Sequence, residues 1–516
     1  VNRISFVPKN QVSHLRRWLR HPVTGFALVV ILAVSVVTLI CLTLLDEATF
    51  SHPFADQLSD QLSELTIDNT TDASLGSLND LLRSPAPLTQ TLDAPPITQL
   101  DGLQVSPFLL GVVGKENAVA APETETPIFD RDHVLTDAEN RIDKQFEITA
   151  SLKERVGFWF DVYSKYDQNH RIIHNQRFPW IIYKIVDVTD IINATEPRVR
   201  WLRNVKADKF VKLETAKVRK TIQKIAKGVG LGQLKEDEKP VAEALRGLGK
   251  NIRKSARLAL NDIRVQTGQR NFFIDGLQVS PRYLSAMEKI FRAKKLPIEL
   301  TRLPFVESSF NQEAMSKVGA GGIWQFMGNT GRKFLLVNGN IDERRSPFKA
   351  SEAAAMLLKE NHMILGHSWP LAITAWNHGP GGVRKACAAA HSKDLGTVIA
   401  RYHSKSFDFA SSNFYSEFLG ALYAERYNDI VFGKVNRDTE LTPMVVLVQR
   451  SVHINDVIRS SGLTKEEFLL MNPDLTLAQA SNARLPVGFR IHLPERARFG
   501  VEQLVGLRGN SVARNY

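Results

Sequence analysis

The chain has 516 residues, more than one hydrophobic core usually organises, so about two to four domains with linkers are expected. Its formal charge of +12 favours acidic partners, whether nucleic acid, anionic lipid or a carboxylate-bearing wall, and charge alone does not choose among them. Only Cys41 and Cys387 occur, the first inside an apolar run, which excludes a disulfide framework.

Residues 1–22 form a short tail carrying Arg3, Lys9, Arg16, Arg17 and Arg20. Residues 23–45 then contain no charged side chain, enough for one helix to cross a bilayer. With Asp46, Glu47, Asp56 and Asp60 following, the positive-inside bias places the tail in the cytoplasm and the rest outside. An uncleaved anchor is preferred over a signal peptide, because the run exceeds a usual apolar core and no small-x-small cleavage site follows. Leu39 and Ile40 ahead of Cys41 also argue against lipoprotein processing. Residues 46–140, rich in Ser, Thr, Asp and Pro without a sustained apolar period, read as a flexible linker. A seven-residue string at 101–107 recurs at 275–281, and no period continues from it.

Residues 141–270 are expected to be helical. They open on an aromatic cluster (Phe158, Trp159, Phe160, Tyr163, Tyr166) and run into a basic stretch from Arg198 to Lys227. There Phe210, Val211, Leu213, Val218, Ile222 and Ile225 recur at roughly helical spacing, which predicts an amphipathic helix. Its lysines read as a solvated face, ahead of a polyanion groove.

Ser280-Pro281 opens a further helix carrying Leu284, Met287, Ile290 and Phe291. Pro297 opens the next, with Ile298, Leu300, Leu303 and Val306, and Pro304 inside it predicts a bend or an end within a turn of Glu307. Glu307 stands between Phe305-Val306 and Ser308-Ser309-Phe310, where desolvation would raise its pKa and keep a proton available for a general acid. A lone helix-ending Glu is more often a cap or a solvated residue, so its neighbours decide. Residues 314–327 set three glycines (Gly319, Gly321, Gly322) beside Ile323, Trp324, Gln325, Phe326 and Met327, and residues 375–383 set Trp376-Asn377-His378 before Gly379-Pro380-Gly381. Glycines that admit close approach, amides and aromatic faces are a mixture that binds sugars.

In this order the strings resemble the lytic transglycosylases of the lysozyme superfamily, most closely the membrane-bound murein transglycosylases of the D type, over residues 271–435. The resemblance rests on Glu307-Ser308, the Gly-Ile-Trp-Gln-Phe-Met core at 322–327, the Asn-His-Gly-Pro-Gly loop at 377–381 and Phe414-Tyr415. It implies that Glu307 is the catalytic acid and base, and that Ser316, Gln325, Phe326, Met327, Trp376, Asn377 and Tyr415 line the substrate site. Trp376 departs from the tyrosine most relatives carry, so a tyrosine hydroxyl bond to substrate is lost there. Residues 443–495 read as strand, two helices and strand, with Asn472-Pro473 closing the second helix. This resembles a divergent LysM glycan-binding module, although the opening glycine-aspartate turn is missing. Residues 496–516 form a tail.

The fold class expected is mainly α: a lysozyme-like (α+β) catalytic domain with a helical N-terminal region, one transmembrane helix and a small C-terminal LysM-like α/β module. The resemblance implies non-hydrolytic cleavage of the MurNAc-GlcNAc β-1,4 bond of peptidoglycan to 1,6-anhydro-MurNAc ends, in the periplasm. Hydrolases usually use two carboxylates, and the motifs hold no obvious second one; Glu313, Asp342 and Glu343 are candidates, each more readily placed on the surface. A hydrolytic or an inactive wall-binding protein stays open as the alternative. His362 and His367, five residues apart, complete no metal set, and no metal or cofactor is expected. Export and the lack of a base-reading motif speak against nucleic acid; the expected partners are peptidoglycan strands and, through one helix, the membrane.

Overall fold

The computed structural model describes residues 129–506. The expected membrane span at 23–45 and most of the expected linker lie outside them. Among the described residues no helix is long and apolar enough to cross a membrane. The longest, Arg200–Lys227, has the length but is studded with lysine and arginine. The expectation of a transmembrane helix, a membrane partner and a single-pass inner-membrane location is corrected accordingly and not retained.

A second correction concerns the N-terminal half, which is not wholly helical. After α1 (Lys153–Ser164) the chain forms β1 (His170–Asn175) and β2 (Ile182–Asp187), then α2 (Arg200–Lys227), α3 (Lys239–Arg246), α4 (Ile252–Ala259) and β3 (Ile263–Thr267). The three strands make an antiparallel sheet in the order β2-β1-β3, with Ile172 opposite Ile185 and Gln266. Ile172, Ile173, Ile182, Ile185 and Val186 are β-branched residues that suit a pleated, half-buried surface. Ile173 and Tyr183 join Val211, Val218, Ile222 and Ile225 of α2 and Leu245 and Ala256 behind them in one apolar cluster. The amphipathic prediction for α2 therefore holds for those four positions, whereas Phe210 and Leu213 point outward. Two of its lysines are held by carboxylates: Glu214, itself buried, binds Lys217 as well as Lys184 of β2, and Glu238 binds Lys224.

The main core gathers α1 with the helices beyond residue 270. These are α5 (Arg270–Val279), α6 (Pro281–Ala293), α7 (Leu303–Glu307), α8 (Pro347–Ile364), α9 (Trp369–His378), α10 (Pro380–Ala390) and α11 (Phe409–Arg426). Gly420 lets α11 lie directly on α1, since a Cβ there would stand 2.8 Å from the Phe160 backbone nitrogen. Pro304 does not sit inside a long helix. A 3-10 turn at Ile298–Arg302 precedes it, and Pro304 occupies the first turn of the five-residue α7, where its missing N–H breaks no bond.

At the C-terminal end β4 (Met444–Leu447) and β5 (Val452–His453) lead into α12 (Ile454–Ser461) and α13 (Lys465–Met471), followed by β6 (Arg484–Leu485), β7 (Arg490–Leu493) and α14 (Glu495–Val505). Antiparallel pairs β4-β7 and β5-β6 enclose a core of Val446, Ile454, Val457, Phe468, Leu485 and Ile491. This module is seated on α8. Lys349, fully buried, reaches Asp474 at 2.6 Å and Glu343 at 3.0 Å, the Asp342 N–H donates to the Asp474 carbonyl, and Arg490 binds Glu352.

Candidate active site

Glu307 is the last residue of α7. The Ser308 and Phe310 N–H groups both donate to the Pro304 carbonyl, and Ser309 and Phe310 take left-handed φ values of 49° and 59°. Such values are uncommon outside glycine, and here they reverse the chain directly behind Glu307. The Ser308 hydroxyl donates to the Ile323 carbonyl at 2.9 Å, which ties this reversal to the glycine-rich loop. Phe305 and Phe310, both buried, meet edge to face on either side of Glu307 in sequence.

The residue as a whole is partly exposed, yet its carboxyl is desolvated. That burial raises its pKa to about 8, and a hydrogen bond from the Trp376 indole N–H to Oε1 at 2.8 Å offsets a smaller part. At neutral pH the group is therefore mainly protonated and within reach of the open side, as a general acid requires. Trp376 stands where the resemblance expects a tyrosine, and its indole N–H is the donor to Glu307. Its ring lies 5.6 Å from Trp324 and 5.1 Å from Phe326 by centroid, so packing aims the N–H at the carboxyl.

The other expected site residues divide. Phe326 is buried beneath Trp376, while Met327 is 44% exposed on the same loop. Gln325, at φ 47°, spends its amide on the Ala314 and Gly322 carbonyls, and the Ser316 hydroxyl accepts from the Ala320 N–H. Both hold the loop in shape, which is closed by bridges from Gly321 to Met315 and to Phe326. Gly322 is needed for the fold itself: at φ 74° a Cβ there would lie 1.9 Å from the Arg344 carbonyl oxygen. Exposed Asn377 accepts from the Ser411 hydroxyl at 2.9 Å, and His378 Nδ1 lies 3.1 Å from the same oxygen. Tyr415 is buried with its ring against Phe418, and burial raises its pKa well above the usual tyrosine range.

Sequence reasoning missed three residues. Arg344 clamps the loop through the Gly319 and Phe326 carbonyls and is itself held by both oxygens of Asp342. Ser411 lies on α11 three positions before Phe414, in a run with no motif of its own. Glu417 stands on α11, where burial and the nearby Glu307 carboxyl raise its pKa to about 8 against a smaller pull from Arg264. The side chains that bring it there come from distant stretches of sequence. Of the proposed second carboxylates, Glu313 is exposed, Asp342 is paired to Arg344, and Glu343 caps the Leu336 N–H and binds Lys349. Among the described residues no group of three His, Cys, Asp or Glu side chains is placed to hold a metal ion.

Comparison with known proteins follows the same stretch of chain. Residues 288–398 match the family described as the transglycosylase SLT domain. The membrane-bound lytic murein transglycosylase D of Escherichia coli K12 is 36% identical over 96 residues, which cover 18% of this chain and 21% of that protein. The chain thus matches about a fifth of the length of that curated relative. Among solved structures, the 70 kDa soluble lytic transglycosylase of Escherichia coli gives a TM-score of 0.24 at 16% identity, covering 48% of this chain and 38% of the other. Lytic transglycosylase Slt of Pseudomonas aeruginosa, solved as an inactive mutant, gives 0.25 at 18% identity, covering 49% and 38%. Residues 288–398 thus carry the likeness to a transglycosylase SLT domain, over about a fifth of the chain.

Proposed function

We propose that this protein cleaves the β-1,4 bond between MurNAc and GlcNAc in peptidoglycan strands without water, leaving 1,6-anhydro-MurNAc ends. The observation that carries the reading is the desolvated, Trp376-bound Glu307, whose raised pKa suits it to give a proton and take one back. Protonated Glu307 donates to the glycosidic oxygen as the C1–O bond breaks and GlcNAc leaves. The Glu307 carboxylate, stabilised by the Trp376 N–H, then takes the proton of the sugar's own C6 hydroxyl while that oxygen bonds to C1. No water is consumed and Glu307 ends protonated. A hydrolase would need a second, ionised carboxylate as nucleophile or base. Glu417 is near, but with its own pKa near 8 it is mostly neutral in the working range and does not supply one. Met327 and Asn377 on the exposed side, with Phe326 and Trp376 beneath, are proposed to receive the sugar, and the C-terminal module to grip the glycan.

Digestion of isolated sacculi by the full chain is expected to release anhydro-muropeptides, identified by mass spectrometry. Reducing ends alone would make the protein a hydrolase, and no release from pH 5 to 8 would leave a binding protein. A finer result concerns Trp376. Trp376→Phe keeps a ring and removes the donor, so ionised Glu307 loses a stabilising bond and the carboxyl holds its proton to higher pH. The basic limb of the pH-rate profile is expected to move upward; a downward move would contradict the assigned role of the indole N–H.

A further inference from the structure

We propose that Arg344 is a positioning residue for Glu307 and that the C-terminal module sets its place, so that the module takes part in cleavage through the shape of the glycine-rich loop. The inference rests on the proposed reaction and deepens it. Glycines make room for this one side chain. A Cβ on Gly331 would stand 3.0 Å from Arg344 Cδ, one on Gly321 3.6 Å from the guanidinium carbon and one on Gly328 3.9 Å from Nη1. From there Nη1 donates to the Gly319 carbonyl at 2.6 Å and to the Phe326 carbonyl at 3.1 Å, the oxygen that also accepts the Gly321 N–H. One guanidinium thus joins both arms of the turn that carries Phe326 to Trp376, where the rings meet edge to face at 5.1 Å. The Trp376 N–H, aimed by that packing, is the bond to Glu307.

The far side of Arg344 is held from the module. Asp342 accepts from its Nε at 2.9 Å and from Nη2 at 2.8 Å, a fork that fixes the plane of the guanidinium, and both residues are buried. Asp342 is fixed in turn by its N–H, which donates to the Asp474 carbonyl at 3.1 Å. Its neighbour Ile341 is buried in the module's own apolar cluster, beside Val446, Ile454 and Leu475. The residue anchored in the module and the residue that closes the loop are therefore three positions apart, joined by a buried ion pair with two bonds. A displacement of the module is handed on to the loop, and from Phe326 to the ring that holds the catalytic carboxyl. Small errors matter there, since about 1 Å of misplacement at a reacting group can cost on the order of a hundredfold in rate.

Removing Arg344 alone would strand the buried Asp342 charge, so the test variant is Arg344→Gln with Asp342→Asn, which removes both charges together. Well below its melting temperature, its kcat on sacculi is expected to fall by about tenfold or more. In a Trp376→Phe background, where the aimed N–H is already gone, the same two changes are expected to cost less than about twofold, because effects passed along one chain of contacts do not add. A merely structural role would cost the same factor in both backgrounds. That result overturns the proposal, as does an unchanged kcat or a change confined to KM in the folded variant. Should the variant not fold, Ile341→Ala tests the module side with the loop, Arg344 and Asp342 intact. Amide hydrogen exchange in the full chain is expected to quicken at Ser316 and Gly321, whose N–H groups close the loop, while α11 keeps the parental rate; loop exchange equal to the parent's overturns the coupling. A parent that releases no muropeptide at any pH would defeat the proposed function, whereas an active parent with equal costs in the two backgrounds defeats the role of Arg344 alone.

Discussion

Glu307→Gln is expected to reduce muropeptide release to background while leaving the protein folded and bound to sacculi. General acid or base groups contribute roughly 100- to 10,000-fold, and one residue serving both proton steps stands at the upper end or beyond. Glutamine can still accept the Trp376 N–H but can neither give nor take the proton. The same change is expected to stabilise the fold at neutral and higher pH. The folded carboxyl, at about 8 against an ordinary 4.5, binds its proton more tightly than the unfolded one. Its stabilising contribution is complete below the unfolded value and is lost as pH rises through the folded value. The variant has no such loss, so its advantage over the parent grows from about pH 5 to pH 8 and reaches roughly 1–4 kcal/mol. Turnover, sacculus pull-down and melting temperature across that range check both halves. A folded variant that releases muropeptides near the parental rate removes Glu307 from the mechanism, and a parent melting above the variant at pH 8 refutes the buried-acid assignment.

What could be read from sequence was what is written locally. The helix at Pro281–Ala293 was legible from its proline and from Leu284, Met287, Ile290 and Phe291 at helical spacing. The helix at Lys465–Met471 is closed at its start by Thr464 and Glu467 binding each other's backbone, and Asn472-Pro473 marks its end. The β1-β2-β3 sheet was hidden because its runs are short, His170–Asn175 mixes Ile172 and Ile173 with polar residues, and β3 arrives nearly ninety residues after β1. Glu307 stood out through its own apolar neighbours, whereas Glu417 acquires its surroundings from α1, α7 and β3, and no spacing in the chain records that meeting. The bond from Trp376 was similarly invisible: the sequence marked only a departure from tyrosine, and the packing of its ring turned the loss of a hydroxyl into the gain of an indole donor. Glu343 and Asp342 looked like surface carboxylates because their partners Lys349 and Arg344 reach them only after the loop closes.

Lys349→Met is expected to be among the most damaging substitutions distant from Glu307, because it strikes the seat of the C-terminal module. Lys349 lies in the first turn of α8, where the helix dipole disfavours a cation. It is nonetheless fully buried, bound to Asp474 at 2.6 Å and Glu343 at 3.0 Å, with its ammonium 3.6 Å from the centre of the Phe489 ring. Asp474, equally buried, has its pKa raised by desolvation even with Lys349 beside it. Removing the lysine leaves that carboxyl without its counter-charge, and breaking a buried pair from one side costs about 3–5 kcal/mol. Replacing Asp474 as well removes the fully buried stranded charge and leaves only Glu343, which keeps its bond to the Leu336 N–H, so Lys349→Met with Asp474→Leu is expected to recover most of the loss. Acid should also ease the single variant. The Asp474 carboxyl in the folded state sits above its unfolded value, so the deficit grows as pH rises from the ordinary aspartate range and shrinks as pH falls toward it. Urea unfolding of the parent, the single and the double variant at two pH values measures all three effects. Equal stability of the single variant and the parent would show that the module does not depend on this pair, and a double variant weaker than the single one would show that packing around Phe489, rather than the stranded charge, sets the cost.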